Sequence, residues 1–191
     1  MDDTMGNQQE SNEISEVERA WLAGVLNGDG CFSLTLRVRE GTAKCDLSVT
    51  LTQCDPALVL KATNILEKTG VMPGLVEYPP TGAGVRNKYS LRVTKMAHIA
   101  ILIDLIAPYL AGEKQAQAGL MRKYVARRAV YADPKNRKGS NVLQDKEAVQ
   151  LAARFYKLRG SAMPPEFVSV LNDYPAREYG QAPGSAQPLR N

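Results

Sequence analysis

Cysteine and histidine are scarce in this chain. Its 191 residues include three cysteines and one histidine. Cys31, Cys45 and Cys54 are odd in number and contain no C-x-x-C pair, which argues against a disulfide framework and against a zinc site. We therefore expect reduced thiols. The lone His98 also excludes the nucleases that need several histidine ligands.

Long apolar runs are missing as well. No segment offers about 18 consecutive uncharged apolar residues, and the polar, acidic start has neither the basic region nor the apolar region of a secretory signal. We expect an intracellular protein, cytoplasmic or organellar, that is not secreted and has no membrane partner. The 44% of hydrophobic residues suffice for one domain with extensions.

The charge is unevenly distributed along the chain. The net charge is +4 and the pI is about 9.0. Six acids occupy the first eighteen residues: Asp2, Asp3, Glu10, Glu13, Glu16 and Glu18. The remainder is correspondingly basic, which favours a polyanionic partner.

Caps and periodicity predict the order of the elements. Ser15 and Glu18 form a capping-box signature before a helix that stops at Gly28. Strict alternation of apolar and polar residues predicts a hairpin of two strands. Thr94 is predicted to cap a helix that is apolar almost all round and therefore buried. The predicted helices are 16–27, 56–69, 95–107, 113–131, 143–159 and 164–172, and the predicted strands are 31–39, 44–52, 74–78 and 86–93.

This order predicts an α+β fold with an antiparallel sheet. One face of the sheet is apolar, and the other combines Arg and Lys with Ser and Thr. Such a polar face usually meets water, but three strands share the bias, and a basic sheet of this kind can lie in the DNA major groove. The candidate DNA-contacting residues are Ser33, Thr35, Arg37, Arg39, Lys44, Asp46, Ser48, Thr50, Arg86, Lys88, Ser90 and Arg92.

Residues 22–30, with the sequence LAGVLNGDG, resemble the signature nonapeptide of the LAGLIDADG homing endonucleases. The αββαββα order over 15–131 is similar to that family's core with its saddle-shaped DNA-binding sheet, as are LSVTLTQ at 47–53 and PYLAGEKQAQA at 108–118. Asn27 stands where the family usually has an aspartate that is not the metal ligand. The resemblance implies a sequence-specific endonuclease that hydrolyses phosphodiester bonds of double-stranded DNA in a long pseudo-palindromic site and leaves short 3′ overhangs.

The acid between two glycines has a chemical explanation. Asp29 adds a carboxylate to the unpaired carbonyls at a helix C-terminus, which favours a hard divalent cation such as Mg²⁺, with Mn²⁺ or Ca²⁺ able to take its place. The backbone carbonyl of Gly28 is a second candidate ligand. The resemblance further implies that Gln53 orders the attacking water and that Lys114 lies beside the scissile phosphate. Ala57 stands where a second basic residue of the site would be expected.

The chain contains one copy of the nonapeptide, and single-copy members of the family work as homodimers. Small residues on the motif helix would let two such helices approach closely. The predicted dimer interface consists of Trp21, Ala23, Gly24, Asn27 and Gly28.

The predicted organisation is an acidic, disordered segment over 1–14, the core over 15–132, a helical extension over 133–173 and a flexible tail over 174–191. Basic residues from the last core helix onward could contact phosphates or form a solvated face. Those assigned to DNA are Arg127, Lys135, Arg137 and Lys138.

Two alternatives to the endonuclease remain at this point. One is an RNA maturase or DNA-binding regulator on the same fold that does not cleave. The other is a metal-free adaptor whose basic sheet binds an acidic protein. The presence of Asp29, Gln53 and Lys114 favours the enzyme.

Overall fold

A computed structural model describes residues 13–39, 42–82, 84–129 and 142–172. The predictions for the acidic start up to residue 12, for Lys135, Arg137 and Lys138, and for the tail lie outside these residues. The elements are α1 (Glu16–Gly28), β1 (Gly30–Arg39), β2 (Thr42–Gln53), α2 (Pro56–Lys68), β3 (Gly74–Tyr78), β4 (Lys88–Val93), α3 (Met96–Ile106), α4 (Gly112–Ala129), α5 (Lys146–Leu158) and α6 (Pro165–Asn172), with 3₁₀ turns at Ala107–Tyr109 and Val142–Gln144.

Helix α1 begins with the predicted capping box. The Ser15 hydroxyl accepts a hydrogen bond from the Glu18 amide at 3.2 Å, and the Ser15 amide donates to the Glu18 carboxylate at 2.9 Å. Lys68 donates to the same carboxylate, and together these bonds lower the pKa of Glu18 to about 2. Ile14, at the end of the predicted acidic segment, is only 7% exposed and packs into the core.

The sheet is antiparallel throughout, with the strand order β1-β2-β4-β3. The predicted alternation is confirmed in β1, where Phe32, Leu34 and Leu36 are buried in the core. Val38 continues the alternation but is 43% exposed, because it lies near the tip of the hairpin. The opposite side of the sheet, on which Ser33, Thr50 and Arg92 lie, is called the open face below.

Two of the boundaries that differ from the prediction affect residues with a predicted role. Lys95, not Thr94, occupies the N-cap position of α3, and it makes no capping bond with its side chain. Helix α3 also buries one side only, since Met96 and Ile101 are each about two-fifths exposed. Strand β4 begins at Lys88, the partner of the last residue of β3, so Arg86 lies in the preceding loop.

The C-terminal helices pack onto the core. Helix α5 lies against α4 and against the edge strand β1. The Tyr156 hydroxyl accepts a hydrogen bond from the Leu36 amide at 3.1 Å, which satisfies a donor on this sheet edge. Within the described ranges, every helix is too short or too polar to cross a bilayer.

Candidate active site

Asp29 lies at the junction of α1 and β1. It is the C-cap residue of α1, with φ −110° and ψ −6°, and its amide donates to the Val25 carbonyl at 2.9 Å. Its side chain is exposed and has no hydrogen bond or ion pair with the rest of the described chain. The carboxylate therefore stands beside the negative end of a helix dipole with its oxygens available to a cation.

The two glycines that flank Asp29 have different surroundings. A Cβ atom on Gly30 would lie 2.8 Å from Leu26 Cα and still closer to the Leu26 carbonyl oxygen, so only glycine allows β1 to start against the last turn of α1. A Cβ atom on Gly28 would have no neighbour within 4 Å. Gly28 is therefore not required by packing within the described chain.

Lys114 lies beside this junction. It is in the first turns of α4, it is half-buried, and its ammonium group donates a hydrogen bond to the Gly30 carbonyl oxygen. The same Nζ atom is 5.7 Å from the centroid of the Phe32 ring. The positive charge is thus held at the carbonyl of Gly30, the residue that follows Asp29, although Lys114 and Gly30 are far apart in sequence.

Gln53 lies at the same end of the sheet. Gly30 pairs with Leu51, and Gln53, the last residue of β2, extends two positions further, toward the end of α1. The three predicted catalytic residues therefore share one end of the sheet. Ala57 is in the first turn of α2, so the position at which a second basic residue is expected has no basic side chain. Lys61, about one turn further along α2, does not replace it, because its Nζ atom lies 4.2 Å from the centroid of the Trp21 ring.

The oxygen ligands at the junction suit a metal ion that the protein coordinates only in part. The described residues contain no cluster of three or more His, Cys, Asp or Glu side chains that could enclose a metal. Asp29 and the Gly28 carbonyl are hard donors, and Mg²⁺ commonly takes one or two carboxylates, retains several waters and uses substrate phosphates for the rest. The residues therefore fit a divalent cation that is bound together with a phosphate-bearing substrate.

The open face carries a cavity of about 620 Å³. Its cations are Arg86, Lys88 and Arg92, and no acid among the described residues lines it. Ser48 and Ser90 form the buried floor, where the Thr52 and Ser90 hydroxyls lie 2.9 Å apart. Seven of the predicted DNA-contacting residues line this cavity: Ser33, Ser48, Thr50, Arg86, Lys88, Ser90 and Arg92.

The remaining predicted contacts lie toward the tip of the β1–β2 hairpin. Arg37 pairs in register with Lys44, and its guanidinium is 3.1 Å from the Asp46 carboxylate in an exposed ion pair. Thr35 is opposite Asp46. Arg39 ends β1, so it is the predicted residue furthest from Asp29 along that strand.

The prediction that Arg127 contacts phosphate is not supported by its position. Its Nε atom is 2.9 Å from the buried Asp145 carboxylate, and its NH1 atom is 3.3 Å from Glu147. Arg127 therefore joins α4 to the start of α5. The sequence does not reveal this pairing, because the acids lie about eighteen residues further along the chain.

The outer side of α1 differs in part from the predicted dimer interface. Ala23 is completely buried in the core of its own chain, on the opposite side of the helix. Asn27 accepts a hydrogen bond from the Ala111 amide at 3.2 Å and so fixes α1 to the segment before α4. Gly24 and Gly28 are exposed and have open space above them, and the half-buried Trp21 lies one turn before Gly24 on the same side of the helix.

Some residues of the cavity were not recognised from the sequence. They include three exposed apolar side chains, Val76, Tyr78 and Val85, together with Cys31 and Thr52. Alternation along the predicted strand 74–78 could have placed Val76 and Tyr78 on one face. The sequence does not reveal which face, because that depends on the partner of β3.

Comparison with known proteins gives a consistent result at the level of structure. No family model and no curated protein matches the sequence. Among solved structures, the homing endonuclease I-CvuI, crystallised with the I-CreI DNA target in the presence of Mg, matches with a TM-score of 0.61 and 20% identity over 82% of this chain and 94% of its own. The intron-encoded homing endonuclease I-CeuI, bound to DNA, matches with a TM-score of 0.58 and 11% identity over 78% of this chain and 71% of its own.

The LAGLIDADG homing endonuclease I-GzeII, in complex with its DNA target, also matches, with a TM-score of 0.60 and 13% identity over 87% of this chain and 54% of its own. The chain has the LAGLIDADG endonuclease fold. The predicted α+β class, the αββαββα core and the additional C-terminal helices are confirmed by these likenesses. In this fold, the nonapeptide of residues 22–30 forms the last turns of α1 and its junction with β1.

Proposed function

We propose that this chain is a divalent-metal-dependent, sequence-specific endonuclease that cleaves double-stranded DNA as a homodimer. The observation that carries the proposal is that Asp29, Gln53 and Lys114 lie at one end of a sheet whose open face carries a cavity lined by cations and by no described acid. The proposal is also supported by the DNA-bound crystal structures that share the fold. Without the comparison, the basic cavity alone would not distinguish a nuclease from a regulator.

Each residue of the junction has a role in this mechanism. Asp29 and the Gly28 carbonyl would hold Mg²⁺, or Mn²⁺ or Ca²⁺ in its place. Such an ion polarises water and neutralises charge on a phosphate. Lys114 would stabilise the negative charge that develops on the scissile phosphate; this role is supported by its hydrogen bond to the carbonyl of Gly30, the residue after Asp29. The amide of Gln53 would orient the attacking water.

The homodimer follows from the single motif and from the outer side of α1. Two copies that pack through Gly24 and Gly28 would bring a second Asp29 beside the first, so that each strand of the duplex meets one carboxylate. Two sheets would then cover two half-sites about one helical turn apart, in a pseudo-palindrome of roughly 20 bp. Cleavage would leave short 3′ overhangs.

A substitution at Gly24 tests the dimer. Gly24→Gln should leave the monomer folded, since a side chain there has open space and glutamine is the better helix former by up to about 1 kcal/mol. The added bulk should nevertheless weaken the dimer by about 5-fold to 150-fold, because overpacked contacts cost about 1–3 kcal/mol. Sedimentation equilibrium measures the dissociation constant.

Gly119→Gln is the matched control, because Gly119 is also exposed, helical and without a neighbour within 4 Å of its Cβ position. It should leave association unchanged. A Gly24→Gln protein that dimerises as tightly as the wild type would exclude this side of α1 as the interface.

Arg92 tests the role of the open face. It is exposed, lines the cavity and makes no ion pair with other described residues. Arg92→Ala should cost about 1–3 kcal/mol of target binding if the guanidinium reads a base pair, with relaxed preference at that position. Fluorescence anisotropy on the target and on single-base variants measures both effects.

Arg122→Ala is the comparison variant for Arg92, because it removes an equally positive side chain that is bound to Asp104 at 2.7 Å between α3 and α4. Its effect on DNA affinity should stay within about twofold, as expected for a charge outside the interface. Equal losses from both substitutions would mean that the open face contributes only through net charge.

Cleavage of a randomised duplex library tests the function as a whole. We expect magnesium-dependent double-strand cuts within one pseudo-palindromic sequence. Specific binding of DNA without cleavage would instead indicate a regulator, and preference for structured RNA would indicate a maturase. Binding of neither nucleic acid would contradict the proposal and favour an adaptor.

A further inference from the structure

The open face is chemically uneven. Residues in register on antiparallel strands share a face, so Val76 lies beside Ser90 and Tyr78 lies beside Lys88 on the open face. The only other β3 residue on this face is Gly74, the partner of Arg92. Strand β3 therefore contributes no Lys, Arg, Ser, Thr, Asn or Gln side chain to the open face.

The apolar side chains of this strand are accessible. Val76 is 47% exposed, Tyr78 is 51% exposed, and Val85 from the following loop is 45% exposed. All three line the same cavity as Arg86, Lys88 and Arg92. These three residues are called the β3 patch below. Single exposed apolar residues are ordinary, but three that share one cavity with cations, and with no acid from the described part of the chain, indicate a surface built for a particular partner.

The chemistry of the major groove identifies what such a patch can contact. Among the four bases, thymine alone carries a methyl group on its groove edge, and apolar side chains recognise that methyl. The cations beside the patch supply the phosphate contacts that hold the duplex against it.

We propose that the β3 patch reads thymine through its 5-methyl group, so that the target of this protein carries thymine at the base pairs which contact β3. This inference rests on the proposed function and adds a specificity element to it. Val76 is the central residue, because it is the middle residue of β3 on the open face, between Gly74 and Tyr78. The Arg and Lys residues of the open face do not account for this preference.

Replacement of thymine by deoxyuridine tests the inference, because it deletes only the methyl group. Wild-type full-length protein first selects its site from a randomised duplex library in EDTA, where metal-dependent cleavage cannot proceed. The selected site is then synthesised with thymine or with deoxyuridine, one position at a time. At one or two positions, deoxyuridine should weaken binding about fourfold, the value expected for one buried methyl group.

Val76→Ala and Val85→Ala identify the residues responsible. Both side chains are about half exposed, so neither truncation removes core packing. We expect at least one variant to bind the thymine and deoxyuridine duplexes equally. Val38→Ala is the matched control, because Val38 is an equally exposed valine whose alternation puts it on the opposite face of the sheet. It should retain the fourfold difference.

The outcomes separate this inference from the proposed function. Equal affinity of the wild type for thymine and deoxyuridine at every position would overturn the inference, whereas site selection and later cleavage in Mg²⁺ would leave the endonuclease intact. A fourfold difference that both valine variants retain would overturn the assignment to the β3 patch. Failure to select any site would contradict both proposals.

Discussion

An Asp29→Asn variant should bind its DNA target within a few-fold of the wild type and should cut it no faster than background in Mg²⁺. The substitution keeps the size and hydrogen-bonding capacity of the side chain but removes the negative charge that holds the cation. Binding depends on the strands of the open face and on Arg86, Lys88 and Arg92, none of which changes. Gel-shift titration and a cleavage time course on the same duplex measure the two properties separately.

The exposure of Asp29 makes this result interpretable. Its carboxylate makes no hydrogen bond or ion pair with the described chain, so the amide should leave folding intact. Loss of a calorimetric Mg²⁺ signal on the protein–DNA complex would connect the missing cleavage to the missing ion. A variant that cuts as fast as the wild type would show that Asp29 has no part in the chemistry.

Asp104→Asn is the control for Asp29. It removes a carboxylate from α3 whose side chain is also largely exposed and whose partner is Arg122. A surface ion pair of this kind contributes about 0–1 kcal/mol to stability. Cleavage should therefore remain at the wild-type rate, which would show that position, not the number of acids, determines activity.

The parts of the fold that sequence could predict are those that depend on local chemistry. The Ser15–Glu18 box and the Asp55 cap fix the starts of two helices through bonds between neighbouring residues. Alternation with a period of two fixes the faces of β1 and β2 before any partner is known. The N-cap of α3 was predicted one residue too early. Threonine is a residue type that caps helices well, but Lys95 follows Thr94 as the N-cap and the helix begins at Met96.

The parts that could not be predicted depend on distant partners. Gly24 and Ala23 are both small, and only the packing of α1 shows that Ala23 points into the core while Gly24 faces outward. The hydrogen bond from Lys114 to Gly30 joins α4 to β1, and no spacing in the sequence predicts it. The resemblance to the family supplied Gln53 and Lys114, whereas composition alone would have left both as ordinary surface residues.

The basic residues illustrate the same limit. Arg92 and Arg127 carry the same charge, and the sequence does not show which of them has an acidic partner. In the structure Arg92 lies on the open face, whereas Arg127 contacts two acids at the start of α5. A positive charge therefore predicts a nucleic-acid contact only when the acids near it in space are known.

Asp145→Ala should cause the largest loss of stability of any substitution considered for this chain. Asp145 is 1% exposed and accepts hydrogen bonds from Arg127 at 2.9 Å, from Arg128 at 3.2 Å and from the Ala148 amide at 3.2 Å. The alanine would leave Arg128, itself only 8% exposed, without this carboxylate, and would remove the N-cap of α5. Breaking such a buried pair costs about 3–5 kcal/mol of unfolding free energy, as measured by urea denaturation.

Two further variants divide this loss into its parts. One separates the contribution of the Asp145 charge from that of the N-cap of α5, and the other separates the buried ion pair from the exposed one. Asp145→Asn retains an oxygen that can accept from the Ala148 amide, so its loss should fall below that of Asp145→Ala by about 1 kcal/mol, the usual value of an N-cap. Glu147→Gln removes only the exposed partner of Arg127, 3.3 Å away, and should cost less than about 1 kcal/mol. If Asp145→Ala and Glu147→Gln were equally mild, α5 would be held to α4 by its apolar residues alone, and the buried ion pair would have no role in docking the C-terminal helices.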